Sequence, residues 1–211
     1  MPQPSPTRRD LLALALAAAA TPAAAQRVKV VTLLGDSISA GYGLPGRDAL
    51  PIQLQQAVAR LGAPNRVRGA GLSGDTTAGG LARVDFSVQK DTDVVVVALG
   101  ANDLMRGLDP AVVRGNLDRI VRRLKARGMG VVLVGLQAPV EIGGGYARDF
   151  NGVFPAVAQA QGVPLVPNLL AGVARNRTLN QPDGIHPNAA GVRIIARNLA
   201  PTVAQALAQR R

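Results

Sequence analysis

The chain has 211 residues, a formal net charge of +11, one histidine and no cysteine or tryptophan. That inventory excludes disulfides, a cysteine nucleophile and thiolate metal sites, and a single imidazole cannot furnish an ordinary structural zinc site. Aromatic residues are 2% of the chain, too sparse for a base-stacking platform, and no nucleic-acid-binding motif is present.

Thr7-Arg8-Arg9-Asp10-Leu11-Leu12 opens an apolar run to Ala20, and Ala23-Ala24-Ala25 offers a small-residue cleavage site. Residues 1–25 therefore read as an export leader and are set aside from the fold. Twin arginines point to the route for folded proteins, although basic residues before an apolar run also serve general secretion. Residues 26–211 suit one domain around one core, placed in the periplasm or outside the cell. Arginine supplies most of the positive charge, Lys29, Lys90 and Lys125 being the only lysines. Such a surface favours anionic membranes or acidic substrates; base composition of the source genome is the competing explanation.

Val28–Leu34 is a strand ending at Gly35. Leu50, Leu54, Val58 and Leu61 recur at helical spacing and predict a helix over 49–61. Asn65–Arg68 is a short strand, and 79–89 a poorly marked helix. Val94–Leu99 is the clearest buried strand. The spacing of Val113, Leu117, Ile120 and Leu124 predicts a helix over 110–127, with Arg114, Arg119, Arg122 and Arg123 on its solvated face. A strand at 131–136, the loop Gly143-Gly144-Gly145, a helix at 146–161 and a strand at 164–166 follow. The last helix spans 187–207, with Val192, Ile195, Leu199 and Val203 facing inward. Alternating strands and helices imply a parallel sheet covered on both faces, with ligands at the carboxyl ends of its strands.

Three motifs fall at those ends. Gly35-Asp36-Ser37 follows the first strand and exposes a hydroxyl and free amides, or is an ordinary capped turn. Gly69-Ala70-Gly71-Leu72-Ser73-Gly74 follows the second strand. Read mechanically it contains the dinucleotide fingerprint, but in the wrong place and without a clear ribose-binding acid. The competing reading makes the Gly74 N–H an oxyanion donor. Gly100-Ala101-Asn102-Asp103 follows the third strand, where Asn102 is either a second donor or part of a turn.

Asp183-Gly184-Ile185-His186-Pro187-Asn188 holds the only histidine. Proton transfer near neutral pH must run through this imidazole. Asp183 is near enough to orient the ring. Pro187 bars the α conformation at His186 and suits the first position of a helix. The alternative is a surface-loop histidine.

Taken together, Gly35-Asp36-Ser37, Gly74, Gly100-x-Asn102-Asp103 and Asp183-x-x-His186 resemble, in order and spacing, the four blocks of the SGNH, or GDSL, hydrolase family. The longer strings Gly-Asp-Ser-Ile-Ser-Ala-Gly-Tyr, Ser-Gly-Asp-Thr, Asn-Asp-Leu-Met-Arg-Gly and Asp-Gly-Ile-His-Pro-Asn are similar to its exported thioesterase I/lysophospholipase/arylesterase branch. The resemblance implies a flavodoxin-like α/β/α sandwich with a five-stranded parallel sheet. It implies Ser37 as nucleophile, His186 as general base and Asp183 as its orienting acid. The Ser37 and Gly74 amides and the Asn102 side chain are then the oxyanion hole. No metal or cofactor is required, and the substrate is a small-molecule or lipid acyl ester or thioester. Asp36 and Asp103 are read as groups that hold loops. Leu104, Met105, Leu108 and Ile142 are candidates for an acyl groove, or plain packing, and Gly143–Gly145 for a mobile lip. Carbohydrate O-acetyl esterases share the same blocks, though the absence of tryptophan disfavours a sugar platform. A non-catalytic binding protein is the third reading.

Overall fold

The computed structural model describes residues 27–210. The leader reading over residues 1–25 lies outside them. Among the described residues no helix is long and apolar enough to cross a membrane.

Five strands form one parallel sheet in the order β2-β1-β3-β4-β5: β1 (Lys29–Gly35), β2 (Asn65–Gly71), β3 (Val94–Ala98), β4 (Gly130–Val134) and β5 (Leu165–Val166). This is the flavodoxin-like order, and β1 and β3 flank its switch point. Strands β1, β3 and β4 are buried on both faces, which explains their β-branched runs; Val94, Val95, Val96 and Val97 are fully inaccessible.

Among the described residues seven α-helices connect and cover the strands: α1 (Ser37–Ala40), α2 (Leu50–Arg60), α3 (Thr77–Ser87), α4 (Ala101–Met105), α5 (Pro110–Ala126), α6 (Gly144–Gln161) and α7 (Ala189–Ala208). Helices α2 and α7 pack together on one face; α3, α5 and α6 pack side by side on the other. In α5 the predicted stripe Val113, Leu117, Ile120 and Leu124 is fully buried, each side chain contributing roughly 1.5–3 kcal/mol of burial. The outer arginines of α5 are spanned by ion pairs, Arg122 to Asp118 and Arg123 to Asp85.

Several boundaries differ from the sequence reading. Leu61 is exposed, because α2 stops at Arg60. Gly144 and Gly145 are not loop but the first turn of α6. The last helix starts at Ala189 rather than Pro187: Asn188 caps it, its side chain accepting from the Ala190 and Gly191 amides. Pro187 instead pairs with Asn180 in an isolated antiparallel bridge.

The largest difference is β2, which runs three residues further than expected, through Gly69-Ala70-Gly71. Parallel pairing with β1 continues to Gly35↔Gly71, so the first two glycines of the apparent dinucleotide fingerprint lie inside a strand. They cannot cradle a pyrophosphate there. Gly71 serves close packing instead: a Cβ on it would strike the Ala40 amide nitrogen and lie 2.8 Å from Ala40 Cα. Both are backbone atoms of α1, so no side chain can move aside. Gly71→Ala should cost about 2–3 kcal/mol and lower the melting temperature by roughly 5–10 °C. An unchanged thermal transition would show that α1 does not rest on this strand.

Candidate active site

The site grows out of the carboxyl ends of β1, β2 and β3 and the loop before α7. Past Gly35 the chain turns into α1, and buried Asp36 caps it by accepting from the Ile38 amide at 3.1 Å. Ser37 is the first helical residue. Its carbonyl accepts from Tyr42 N at 3.0 Å, which closes the turn.

Asp183 organises the second half. One carboxylate oxygen accepts from the amides of Ile185 (2.9 Å) and His186 (3.0 Å), and the other lies 2.7 Å from His186 Nδ1. Gly184 sits at φ 70°, a left-handed turn that only a residue without Cβ adopts freely. The His186 amide and ring and the Ile185 amide hold the Asp183 carboxyl down at about 2. It is therefore ionised, and an ionised carboxylate can only accept. The proton of the neutral imidazole must then sit on Nδ1, leaving Nε2 bare. Nε2 lies 2.9 Å from Ser37 Oγ.

The ring is held from its other sides too. Tyr42 lies against it with centroids 4.5 Å apart and planes tilted by 36°. Gln181 donates to Tyr42 O at 2.8 Å and to Pro187 O at 3.0 Å, and its amide donates to His186 O. Gln181 thereby ties the histidine loop to the serine loop. Nothing in the sequence marks it, since a loop glutamine has no pattern.

Asn102 lies in α4, a helix of five residues rather than the turn that Asn-Asp suggests. Its Nδ2 donates one hydrogen to Asp75 O at 2.8 Å, and the second remains for another acceptor. Gly74 sits at φ 79° in the loop before α3. Its carbonyl accepts from Arg106 at 3.0 Å. Neither its N–H nor that of Ser37 has an acceptor among the described residues. Asp103 is inaccessible and accepts from Thr77 N (2.9 Å) and Thr77 Oγ1 (2.6 Å), which joins α4 to α3.

Beside α4 an open cavity of about 560 Å³ is lined by Leu104, Met105, Gly107, Pro139, Ile142 and Tyr146. Leu104, Met105 and Ile142 were expected there. Leu108 was too; its side chain is not part of this lining, and its carbonyl accepts from Tyr146 Oη at 2.8 Å. Tyr146 and Pro139 complete the lining and carry no local sequence signal. Among the described residues no group of three or more histidine or carboxylate side chains is arranged to hold a metal ion.

A hydroxyl, a bare imidazole nitrogen and an ionised carboxylate in series are the arrangement by which serine hydrolases activate their nucleophile. Here it sits at the carboxyl edge of a flavodoxin-like sheet. The profile of the GDSL-like Lipase/Acylhydrolase family matches residues 33–194, and the chain belongs to that family. It is 40% identical over 191 residues to Esterase TesA of Pseudomonas aeruginosa, spanning 90% of this chain and 94% of that protein. It is 36% identical over 166 residues to an arylesterase of Vibrio mimicus, spanning 78% and 83%. With thioesterase 1/protease 1/lysophospholipase L1 of Escherichia coli it shares 34% over 157 residues, 74% of each chain. A crystal structure of TesA matches with a TM-score of 0.78 at 38% identity, covering 84% of this chain and 99% of that one.

Asp36 gives this site a distinctive electrostatic cost. Burial pushes its carboxyl up from 3.8 to about 6, only partly offset by the Ile38 amide and the nearby His186. Because the folded value is raised, ionisation is penalised in the native state only. Stability is unaffected below about pH 4, falls as pH rises from there to about 6, and stays lower by about 3 kcal/mol above it. Asn is an equally good cap, so Asp36→Asn should be more stable than the native chain at pH 8 by up to that amount, with no difference near pH 3.5. Denaturant melts at the two pH values check this, and an equal difference at both would contradict it.

Proposed function

We propose that the chain hydrolyses carboxylic esters or thioesters through an acyl-enzyme on Ser37. The observation that carries this reading is the 2.9 Å contact between His186 Nε2 and Ser37 Oγ, with Asp183 2.7 Å behind the ring. Nε2 takes the hydroxyl proton as Oγ bonds to the carbonyl carbon. The developing oxyanion meets the Ser37 and Gly74 amides and the free Asn102 hydrogen. His186 then passes its proton to the leaving alcohol or thiol as that bond breaks. Water repeats the sequence on the acyl-enzyme: its proton goes to Nε2, its oxygen to the carbonyl, and Ser37 leaves with the proton.

The cavity lined by Leu104, Met105, Ile142 and Tyr146 takes the acyl chain in this reading. Its apolar walls and the names of the relatives support aryl esters, acyl thioesters and lysophospholipids over acetylated sugars. Residues 1–25 act as an export leader and residues 26–211 work in the periplasm or outside the cell, supported by the arginine pair and apolar run. The net charge of +11 supports a weak attraction to anionic membrane surfaces.

Ser37→Ala should abolish hydrolysis and leave the melting curve in place; retained turnover would move the nucleophile elsewhere. Asn102→Ala should slow kcat by about a hundredfold or more. A p-nitrophenyl series from acetate to palmitate, beside acetylated xylan, tests the substrate class. Turnover of medium or long acyl chains is expected, and a response to acetate and xylan alone would favour the sugar esterase.

A further inference from the structure

We propose that Arg83 is the positioning residue of the oxyanion hole, fixing the loop that carries Gly74 and, through it, Asn102. This inference rests on the oxyanion reading above.

Arg83 lies in the second turn of α3, and its side chain is only 18% exposed. Four bonds fan out from its guanidinium. Nε donates to Asp75 Oδ2 at 2.8 Å, and Nη2 donates to Gly35 O at 2.9 Å. Nη1 donates to Ala70 O at 2.8 Å and to Ser87 Oγ at 3.1 Å. Gly35 is the last residue of β1, two before Ser37, and Ala70 lies next to the end of β2. Asp75 directly follows Gly74, and its own carbonyl receives the Asn102 Nδ2 bond. One planar cation thus touches the serine strand and the Gly74 loop directly. It reaches Asn102 through a single peptide unit.

The chemistry at these positions calls for a fork. Strands β1 and β2 end here; Gly35 O accepts from Leu72 N at 3.0 Å and, like Ala70 O, also from the guanidinium. One side chain thus serves two strand ends and a carboxylate at once. A guanidinium offers five N–H groups in fixed directions, whereas an ammonium offers a point charge on a flexible stem. Asp75 has no freedom to re-aim, because its other oxygen accepts from Thr76 N at 3.1 Å. A side chain at Gly79 would also collide with that oxygen. Asp75 is therefore oriented by Arg83 on its side chain and by Asn102 on its carbonyl, and its own N–H, donating to Leu72 O at 3.1 Å, closes the turn that holds the Gly74 N–H. If that loop turned, two of the three oxyanion donors would move together.

A merely structural arginine would lower stability and leave the chemistry intact, so the test separates the two. Arg83→Lys keeps the charge and loses the fork. Turnover of a p-nitrophenyl ester and of its thionoester is measured well below the melting temperature of each variant. An oxyanion hole built for oxygen favours the oxo substrate, so the oxo-to-thiono rate ratio reports its geometry. Arg83→Lys should lower kcat on the oxo ester by about 10- to 100-fold, with KM nearly unchanged, and should shrink that ratio. Asn102→Ala serves as the reference. If Asn102→Ala leaves the ratio unchanged, the oxyanion reading itself fails and the inference falls with it. If Asn102→Ala shrinks the ratio and Arg83→Lys does not, Arg83 alone is misassigned. Should Arg83→Lys not fold, the near-isosteric Asp75→Asn weakens the same contact; it should lower kcat and the ratio in the same direction, and an unchanged ratio would overturn the proposal.

Discussion

The hydrogen bond from Ser37 Oγ to His186 Nε2 joins residues 149 positions apart, and much of the architecture serves to make it. Strand β1 must stop where it does to present Ser37, and the loop before α7 must fold back across the same edge. The doubly wound order brings this about: β1 and β3 are neighbours, but the connections that leave them turn to opposite faces of the sheet, which leaves a crevice above their carboxyl ends. A bond of this kind has a small net value. The ordering of its two partners comes from elsewhere, on one side from the capped turn of α1 against Gly71, on the other from Asp183, Gln181, Asn188 and the Tyr42 ring.

The carboxylates around the site show how environment alone separates their roles. Asp183 is given three donors and access to water, and stays ionised to about pH 2. Asp36 is inaccessible with one backbone donor, and is held near 6. Asp75 is matched to a guanidinium and Asp103 to the amide and hydroxyl of Thr77. Four aspartates within one rim therefore include an orienter for the imidazole, a helix cap and two tethers between loops. None of them needs a metal ion to be satisfied.

Much of this was readable from the chain itself. Strands buried on both faces leave uninterrupted β-branched runs, and Val94–Val97 announces its place in the sheet. A lone histidine after Asp-Gly-Ile leaves one option for a neutral-pH base. What escaped reading depends on partners distant in sequence. The end of β2 is made of glycine and alanine, poor strand formers, and is extended because β1 pairs with it and α1 presses on Gly71. Pro187 looks like a helix start, yet Asn188 offers the better cap. Leu108 looks like groove lining, yet it is Tyr146, whose hydroxyl bonds to the Leu108 carbonyl, that stands in the cavity wall. Arg83 reaches Gly35 and Ala70, and Gln181 reaches Tyr42, through tertiary hydrogen bonds that no periodicity encodes.

The central claim is that one hydroxyl, activated by one imidazole, is the group acylated in turnover. A p-nitrophenyl alkylphosphonate tests it most directly, since it reacts with an activated serine and leaves a stable adduct whose position mass spectrometry can assign. The account predicts one adduct per chain, on Ser37, formed in step with loss of esterase activity and suppressed in His186→Ala. An adduct on another residue, or full activity with Ser37 modified, would contradict it.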